Sequence, residues 1–396
     1  MTPPPWQVVI AGAGPVGLLL GNLLGAGGLR TLVIDRRTSG PEASMAIGLT
    51  PPSLALLHAL QLDRSFTAAG VRVDQAVVHG DHGRLGGLSF RKLLSPYPFI
   101  LSMPQAETVR LLEARLGDWP TVELRRGTEL AALNQDAQGV TATLTDLVSG
   151  QDERVRSDFL VGCDGGDSRV RPLMEIAATG GNYPQTFVMG DFADASGFAN
   201  EAHLFFTRYG SVESFPLPGG RRRWIIQTEQ LLRPPPAGLL VGAVRQRSGV
   251  DLAGCDCSFE SAFAVRHRLA QRYFRGRVAL CGDAAHLMSP VGGQGMNVGF
   301  GDAAALAGAL VACLRQGAAV ELLLEDYSRR RQTVAKIAID RAARGMWLGT
   351  RRGWLAGLWR EPLLRLVLAP PLCRALPPYF AMLTLPGPPQ PPGIPA

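Results

Sequence analysis

The chain has 396 residues, 46% of them hydrophobic and 18% charged, with a formal net charge of +7. That length leaves room for two or three domains of roughly 150 residues each. The cations are scattered: Arg221–Arg223 and Arg329–Arg331 are short runs without interleaved aromatics, which excludes a nucleic-acid-binding stripe and suits small anionic ligands instead.

The first 29 residues carry no charged side chain, but glycines and prolines break the run and no basic segment precedes it, so a signal anchor is not predicted. An apolar strand, Val8–Ala11, runs into Gly12-Ala13-Gly14-Pro15-Val16-Gly17. A helix follows, then a second strand, Thr31–Ile34, ending in Asp35. This is the dinucleotide fingerprint in its strand, turn and helix context. Gly12 permits the turn, Gly14 lets a pyrophosphate approach the backbone, and Gly17 lets helix and strand pack. Asp35 is placed to accept hydrogen bonds from an adenosine ribose.

Thr50 is a predicted helix N-cap, with Pro51 at the first helical position and Leu54, Leu57 and Leu60 inward. Residues 73–97 read as short strands. Ser102-Met103-Pro104 starts a helix with Val109, Leu112 and Leu116 on one face and Gly117 beyond. Residues 158–171, DFLVGCDGGDSRVR, deliver an apolar strand into Cys163-Asp164-Gly165. Within 174–257, the pieces FVMGDFA, HLFFTR, SVESFPL and RRWIIQ read as successive strands, the expected roof of a substrate cavity.

Residues 276–306 read as a buried strand, Val278–Cys281, then a Gly282-Asp283 turn and a glycine-rich loop. A helix begins near Gly295-Met296-Asn297 and carries Leu306, Leu310 and Leu314 at helical spacing. Unpaired N–H groups at such a helix start attract negative charge. Glycines at 292, 293 and 295 let a flat ligand approach. A reduced flavin, anionic along its N1/O2 edge, fits that description.

Further on, LEDYSRRRQTVAKIAIDRAARG reads as a polar-faced helix with Val334, Ile337 and Ile339 as its apolar members. From residue 346 the chain is rich in Trp, Leu and Arg. Its basic amphipathic look predicts packing on its own domain or a dimer mate rather than on a membrane. Cysteines at 163, 255, 257, 281, 313 and 373 show neither disulfide-frame nor zinc spacing, which predicts reduced thiols, no metal site and a cytoplasmic protein.

Together the Gly12–Gly17, Asp164-Gly165 and Gly282-Asp283 segments, in this order and spacing, resemble the group A FAD-dependent aromatic hydroxylases, the p-hydroxybenzoate hydroxylase-like family. Within it the chain looks closest to hydroxylases of phenols and polyketides. The resemblance covers about residues 6–345. It implies an α/β fold. A Rossmann-like FAD-binding domain with a parallel sheet would take residues 1–72, 98–173 and 258–345. An inserted, mostly antiparallel β-sheet substrate domain would take 73–97 and 174–257. A C-terminal helical segment, 346–385, and a Pro-rich tail, 386–396, would follow.

Carried over by position, Gly12, Gly14, Gly17 and Asp35, with Pro15 and Val16 between, would hold the ADP half of FAD. Gln105 matches a family glutamine that touches the cofactor. Asp164 would support both FAD and NAD(P)H. Asp283 would hydrogen-bond the ribityl or pyrophosphate region. Pro290 through Asn297, including Gly292, Gly293, Gly295 and Met296, would line the isoalloxazine edge. Where relatives place an arginine in Ser-Arg-Ala, this chain has Ser44-Met45-Ala46; Met45 thus removes a cationic contact that Arg36 or Arg37 could replace.

The resemblance implies hydride transfer from NADPH or NADH to FAD, capture of O₂ as a flavin C4a-hydroperoxide, and hydroxylation of an aromatic or polyketide-like substrate. Such chemistry needs fixed dipoles along the ring edge and exclusion of water, for which Leu287-Met288 and the roofing sheet are candidates. No catalytic base is assigned. His203, Arg208, Tyr209 and Gln227 read as surface or packing residues, and His286 as a structural histidine bound to nearby backbone. Alternatives are an epoxidase, a prenyl-lipid reductase, a halogenase, or a non-catalytic flavin-binding redox module. Arg223-Trp224-Ile225-Ile226 lacks the halogenase Trp-x-Trp-x-Ile-Pro signature. A monomer or homodimer is expected.

Overall fold

The computed structural model describes residues 6–40, 46–290 and 292–387. The chain opens with Trp6–Ala11 (β1), Pro15–Ala26 (α1), Thr31–Asp35 (β2), Gly48–Leu49 (β3), Pro51–Ala59 (α2) and Asp63–Ala69 (α3). Val71–Val73 (β4), Gln75–Gly80 (β5), Gly83–Ser89 (β6) and Ile100–Ser102 (β7) follow, then Gln105–Leu116 (α4) and Val122–Arg126 (β8). Thr128–Gln135 (β9), Val140–Asp146 (β10), Asp152–Gly162 (β11) and Val170–Leu173 (α5) come next. Long strands then alternate with short turns: Ala178–Ala193 (β12), Ala202–Thr207 (β13), Gly210–Leu217 (β14) and Arg221–Thr228 (β15). After Leu239–Ser248 (α6) come Cys257–Ala270 (β16), Phe274–Arg275 (β17), Val278–Leu280 (β18) and His286–Leu287 (β19). The chain finishes in helices: Gln294–Gln316 (α7), Val320–Gly349 (α8), Trp354–Leu368 (α9) and Leu376–Phe380 (α10).

The first sheet runs β17-β18-β11-β1-β2-β8, extended through β11 by the β9–β10 hairpin. From β18 to β8 the pairings are parallel. Strands covered on both faces read as continuous apolar runs rather than alternations. Val8, Val9, Ile10, Leu32, Val33, Leu160 and Val161 are accordingly all fully buried. Helix α1 is apolar all round, with 10 of its 12 residues buried, because it is wedged between this sheet, α4 and α7. Helix α7 is long and apolar enough to cross a membrane, but most of it is buried in the protein core.

The second sheet runs β19-β16-β12-β15-β14-β13-β5-β6, antiparallel throughout except where β13 meets β5. Alternation along its strands sorts two faces. Val188, Val212, Trp224 and Ile226 pack on Leu240 and Val244 of α6. The opposite face presents Phe187 and Met189 to Met346 of α8, and Phe215 to the cluster that holds Val73, Phe90 and Ala381. A small third sheet, β3-β7-β4, touches β14 of the second sheet through β4 and β7.

One boundary differs from expectation. Residues 258–270 belong to the second sheet, since β16 pairs with β12 from Ala178↔Ala270 to Phe192↔Cys257. The alternation of Phe259, Phe263 and Val265 toward the inner face, set among polar residues, is the strand signal there. The C-terminal segment also differs in part. Ala356, Arg360, Leu364 and Leu368 of α9 pack inward, while Trp354, Leu355, Leu358 and Leu366 are exposed. The Pro-rich tail beyond Gly387 and Met45 lie outside the described residues.

Candidate active site

Ala11, Gly162, Leu280 and Ile34 lie at one level across four adjacent parallel strands, through the pairs Ala11↔Gly162, Gly162↔Leu280 and Ala11↔Ile34. The three glycine-acid segments therefore leave the sheet side by side. Their first residues continue the ladder: the N–H of Gly12 donates to Ile34 O (2.7 Å), that of Cys163 to Ala11 O (2.8 Å), and that of Cys281 to Gly162 O (2.9 Å). A ligand crevice outside the carboxyl ends of parallel strands is where such folds bind nucleotides.

The glycines here divide into two kinds. Gly12 has φ +113°, and a Cβ on it would lie 2.4 Å from Cys163 O; a Cβ on Gly17 would lie 1.9 Å from Gly12 O. These two are required by the protein's own close packing. By contrast, a Cβ on Gly14 or Gly293 would have nothing within 4 Å, and one on Gly295 only Met288 at 3.7 Å. Gly14 and Gly293 are the N-caps of α1 and α7, so unpaired N–H groups face open space at both. Val16, early in α1, lies against Gly282 and Gly299, which brings α1, the 282 turn and α7 together. Pro15 is buried as the first residue of α1.

The acids are held by local bonds. Asp35 accepts from the Ala13 N–H (2.8 Å), the Arg37 N–H (2.9 Å) and both arms of the Arg37 guanidinium (3.0 Å each). Burial works to raise its carboxyl, but the Arg37 bonds and charge outweigh it and hold the group low. Of the two arginines considered as replacement cations, Arg37 is tied to Asp35, and both are exposed. Asp164 accepts through Oδ2 from the N–H groups of Arg169 (2.7 Å) and Val170 (3.0 Å); its Oδ1 is buried without a partner among the described residues. Asp283 reaches solvent from a 3₁₀ turn, Gly282–Ala284, yet protein crowds it. That crowding raises its carboxyl, with Asp302 adding to the rise and His286 opposing it.

Behind this turn lies a buried charge cluster. Asp302 Oδ2 is 2.5 Å from His286 Nε2 and accepts from the Gly282 N–H (3.2 Å), while Oδ1 accepts from Arg331 Nε (2.6 Å). His286 is thus structural as expected, although its partner is the Asp302 carboxylate rather than backbone. Asp302 and Arg331 escaped the sequence reading. A lone acid within the apolar stretch GFGDAAAL was the available signal.

Asn297 is bonded within the protein. Its Nδ2 donates to Gly48 O (2.9 Å) and Gly293 O (2.7 Å), and its Oδ1 accepts from the Thr50 N–H (2.9 Å) and Ser53 Oγ (2.7 Å). The side chain is therefore spent on shaping the loop. Thr50 lends its hydroxyl to the same Oδ1 (3.1 Å) and makes no side-chain cap. Gln105 Oε1 accepts from the Ala46 N–H (3.3 Å). Pro290, Gly292 and Gly293 are exposed, and Gly295 and Met296 half-buried. A recess of about 200 Å³ lies beside them, lined by Thr50, Asn297, Val298, Arg331 and Met382 among others. A wider one of about 630 Å³, around Asp63, Arg72 and Phe99, contains none of the predicted site residues.

Because Gly295 has room for a Cβ, Gly295→Val should fold normally and lose bound flavin. Thermal melting and the FAD-to-protein absorbance ratio check this; normal FAD content in the variant would remove the 292–297 loop from the ring edge.

The other candidates stay away from the crevice. His203 stacks on Phe198 (3.7 Å between centroids) and bonds His79 (3.0 Å). Burial, with the charges of His79 and Arg222, pushes it down to about 4. Gln227 Nε2 donates to Thr350 O (3.1 Å), Arg208 pairs with Asp81, and Tyr209 is exposed.

A family model described as "FAD binding domain" matches residues 5–342. The chain is 34% identical over 355 residues to 12-dehydrotetracycline 5-monooxygenase/anhydrotetracycline 6-monooxygenase of Streptomyces rimosus, covering 83% of this chain and 67% of that protein. It is 32% identical over 345 residues to rifampicin monooxygenase of Streptomyces venezuelae, covering 85% and 70%. The chain thus spans about two thirds of the length of these relatives. The solved structure of OxyS anhydrotetracycline hydroxylase from Streptomyces rimosus superposes with a TM-score of 0.80 at 31% identity, over 96% of this chain and 77% of that one. p-Nitrophenol 4-monooxygenase PnpA from Pseudomonas putida DLL-E4 shares the fold, with a TM-score of 0.88 at 22% identity over 96% and 98%. With the three turns converging on one crevice and the family matched over most of its length, this chain belongs to the FAD-binding-domain family, in the branch of group A FAD-dependent aromatic and polyketide hydroxylases, and its cofactor is FAD.

Proposed function

We propose that the protein is a monooxygenase that consumes NADPH or NADH and O₂ to hydroxylate an aromatic or polyketide-like small molecule in the cytoplasm. The convergence of the Gly12, Asp164 and Asp283 turns carries this reading. Open space at Gly14 suits a pyrophosphate, and Asp35 suits a ribose once Arg37 yields one oxygen. The orphaned Asp164 Oδ1 suits a hydroxyl or N–H donor, since a buried acceptor without a partner is costly. The N-terminal amides of α7, shaped by Asn297, suit the anionic edge of a reduced ring. FAD, once bound there, supplies hydride acceptance and oxygen activation. The protein's part is to hold it, to orient the substrate under the inner face of the second sheet, and to keep water out. Relatives named for tetracycline and rifampicin support a multi-ring substrate. Six free cysteines suit a reducing compartment.

The net reaction takes substrate, O₂, NAD(P)H and a proton to hydroxylated substrate, NAD(P)⁺ and water. Phenol-stimulated NAD(P)H oxidation that needs O₂, with one ¹⁸O from labelled dioxygen in the product, is the expected result. Oxidation independent of O₂ would indicate a reductase, and FAD that NAD(P)H does not bleach a non-catalytic module.

A further inference from the structure

The hydroxylase reading leaves the substrate's proton without a named acceptor, and the second sheet holds one. Glu213 lies in the middle of β14. Its neighbour Val212 packs on Leu240 and Val244 of α6, and Phe215, two residues along, packs against the separate cluster of Val73, Ala76, Ala202 and Ala381. Strand alternation therefore turns Glu213 to the inner face, away from α6. There it stands opposite Ile225 of β15 and Leu204 of β13, with Met189 and Val78 beyond them on β12 and β5. These four neighbours are all apolar, and the row ends in Ser261 of β16, two strands beyond Ile225.

Glu213 has no hydrogen bond or ion pair among the described residues, and it is half-buried. The charged groups near that face are already engaged. Arg223, one row along, is bound to Asp191 (2.7 and 2.8 Å). Arg360 of α9 is bound to Phe206 O (2.7 Å), and Glu361 accepts from the Asp81 N–H (2.6 Å). Helix α8 contributes Met346, and the C-terminal turn Phe380 and Leu383. His79 and His203 stack with Phe205 on the α6 side. Burial alone pushes the Glu213 carboxyl up to about 7. An unpaired acid among apolar neighbours is unfavourable for folding, which is the signature of a group kept for a ligand.

The position connects to the cofactor edge. Phe215 and Leu383 pack against the same cluster around Ala202 and Ala381, and Leu383 with the adjacent Met382 lines the recess beside Thr50 and Asn297 at the start of α7. Ser102 Oγ donates to Pro216 O (2.7 Å), tying β14 to the strand that precedes Gln105.

We propose that Glu213 is a catalytic residue that accepts the phenolic proton of the substrate, and that the enzyme therefore selects aromatic rings bearing a free hydroxyl. This rests on the hydroxylase reading. In the step, the substrate O–H bond breaks, its electron pair stays on the phenolate oxygen, and an O–H bond forms on the Glu213 carboxylate. The ring becomes more electron-rich where oxygen is to be added. The proton returns to the product oxygen or leaves to water.

The test uses FAD-loaded wild type, Glu213→Gln and Glu213→Asp, with phenol, 2-naphthol, 1-anthracenol and anhydrotetracycline as probes, and 2-methoxynaphthalene as a control that has no proton to give. Wild-type stimulation should rise about tenfold per pH unit toward about 7 and then level, because only the ionised carboxylate accepts. Glu213→Gln should keep FAD content and melting temperature, lose the pH rise, and turn over about 10²–10⁴-fold more slowly. Glu213→Asp should keep the pH rise at a reduced rate. Perturbation of the flavin spectrum should show 2-naphthol binding wild type about tenfold more tightly than its methyl ether, a preference absent in Glu213→Gln. A Glu213→Gln enzyme with wild-type rate and pH profile overturns the proposal alone. A wild type indifferent to all four phenols overturns the hydroxylase reading, and the proposal with it.

Discussion

Gly17→Ala should fail to give a stable, flavin-binding protein, whereas Gly14→Val should fold and stay colourless. The two positions are three residues apart in one turn, so the contrast isolates what each glycine is for. A Cβ at Gly17 would lie 1.9 Å from the Gly12 carbonyl oxygen, a backbone atom that no rotamer change can move. Relief requires α1 to lift off β1, which breaks the contact of α1 with the fully buried core. The cost should exceed the about 1–3 kcal/mol usual for overpacking. Gly14 has φ −76°, which any residue adopts, and a side chain there meets nothing within 4 Å. Its valine variant should keep stability to within about 1 kcal/mol, as surface substitutions do. It should still exclude a pyrophosphate, forfeiting charge-assisted hydrogen bonds worth about 1.5–3 kcal/mol each, or about 10²–10⁴-fold in affinity for two of them. Urea melts and FAD titration separate the outcomes. FAD bound normally by Gly14→Val would move the pyrophosphate elsewhere.

Asp302→Asn should be among the most destabilising single substitutions in the chain. Asp302 is 0% exposed, and it neutralises Arg331, which is 4% exposed. Removing the charge leaves the guanidinium buried and unpaired, at a cost of about 3–5 kcal/mol. The pH dependence has a definite sign. Burial tends to raise the Asp302 carboxyl, but His286 and Arg331 more than offset this and hold it below the ordinary carboxylate range. A group lowered on folding contributes its full stability above the unfolded value of about 3.9 and loses it as pH falls through the folded value. The deficit of the Asn variant should therefore be largest near pH 7 and shrink in strong acid. Urea denaturation across that range measures it; a deficit under about 1 kcal/mol at neutral pH would mean the cluster is not holding the turn.

What the sequence revealed follows from the range of the forces involved. The β1–α1–β2 unit was legible because its apolar runs and glycine spacing are local. Asp283 and the start of α7 were legible for the same reason. The bonding partners of the Asn297 side chain were not legible. Its partners Gly48, Thr50 and Ser53 lie 244 or more residues away, and no local pattern announces them. That residues 258–270 join the second sheet was not legible, because the pairing of β16 with β12 is likewise non-local. Glu213 was overlooked for a subtler reason. SVESFPL reads as a strand, but which parity faces inward depends on where α6 and the C-terminal turn dock.

The visible absorption spectrum of the purified protein tests most directly whether three turns on adjacent strands cradle a single dinucleotide. A yellow protein with flavin bands, taking up one equivalent of FAD per chain when supplied in excess, is the predicted result. A colourless protein that binds no FAD under those conditions contradicts the account.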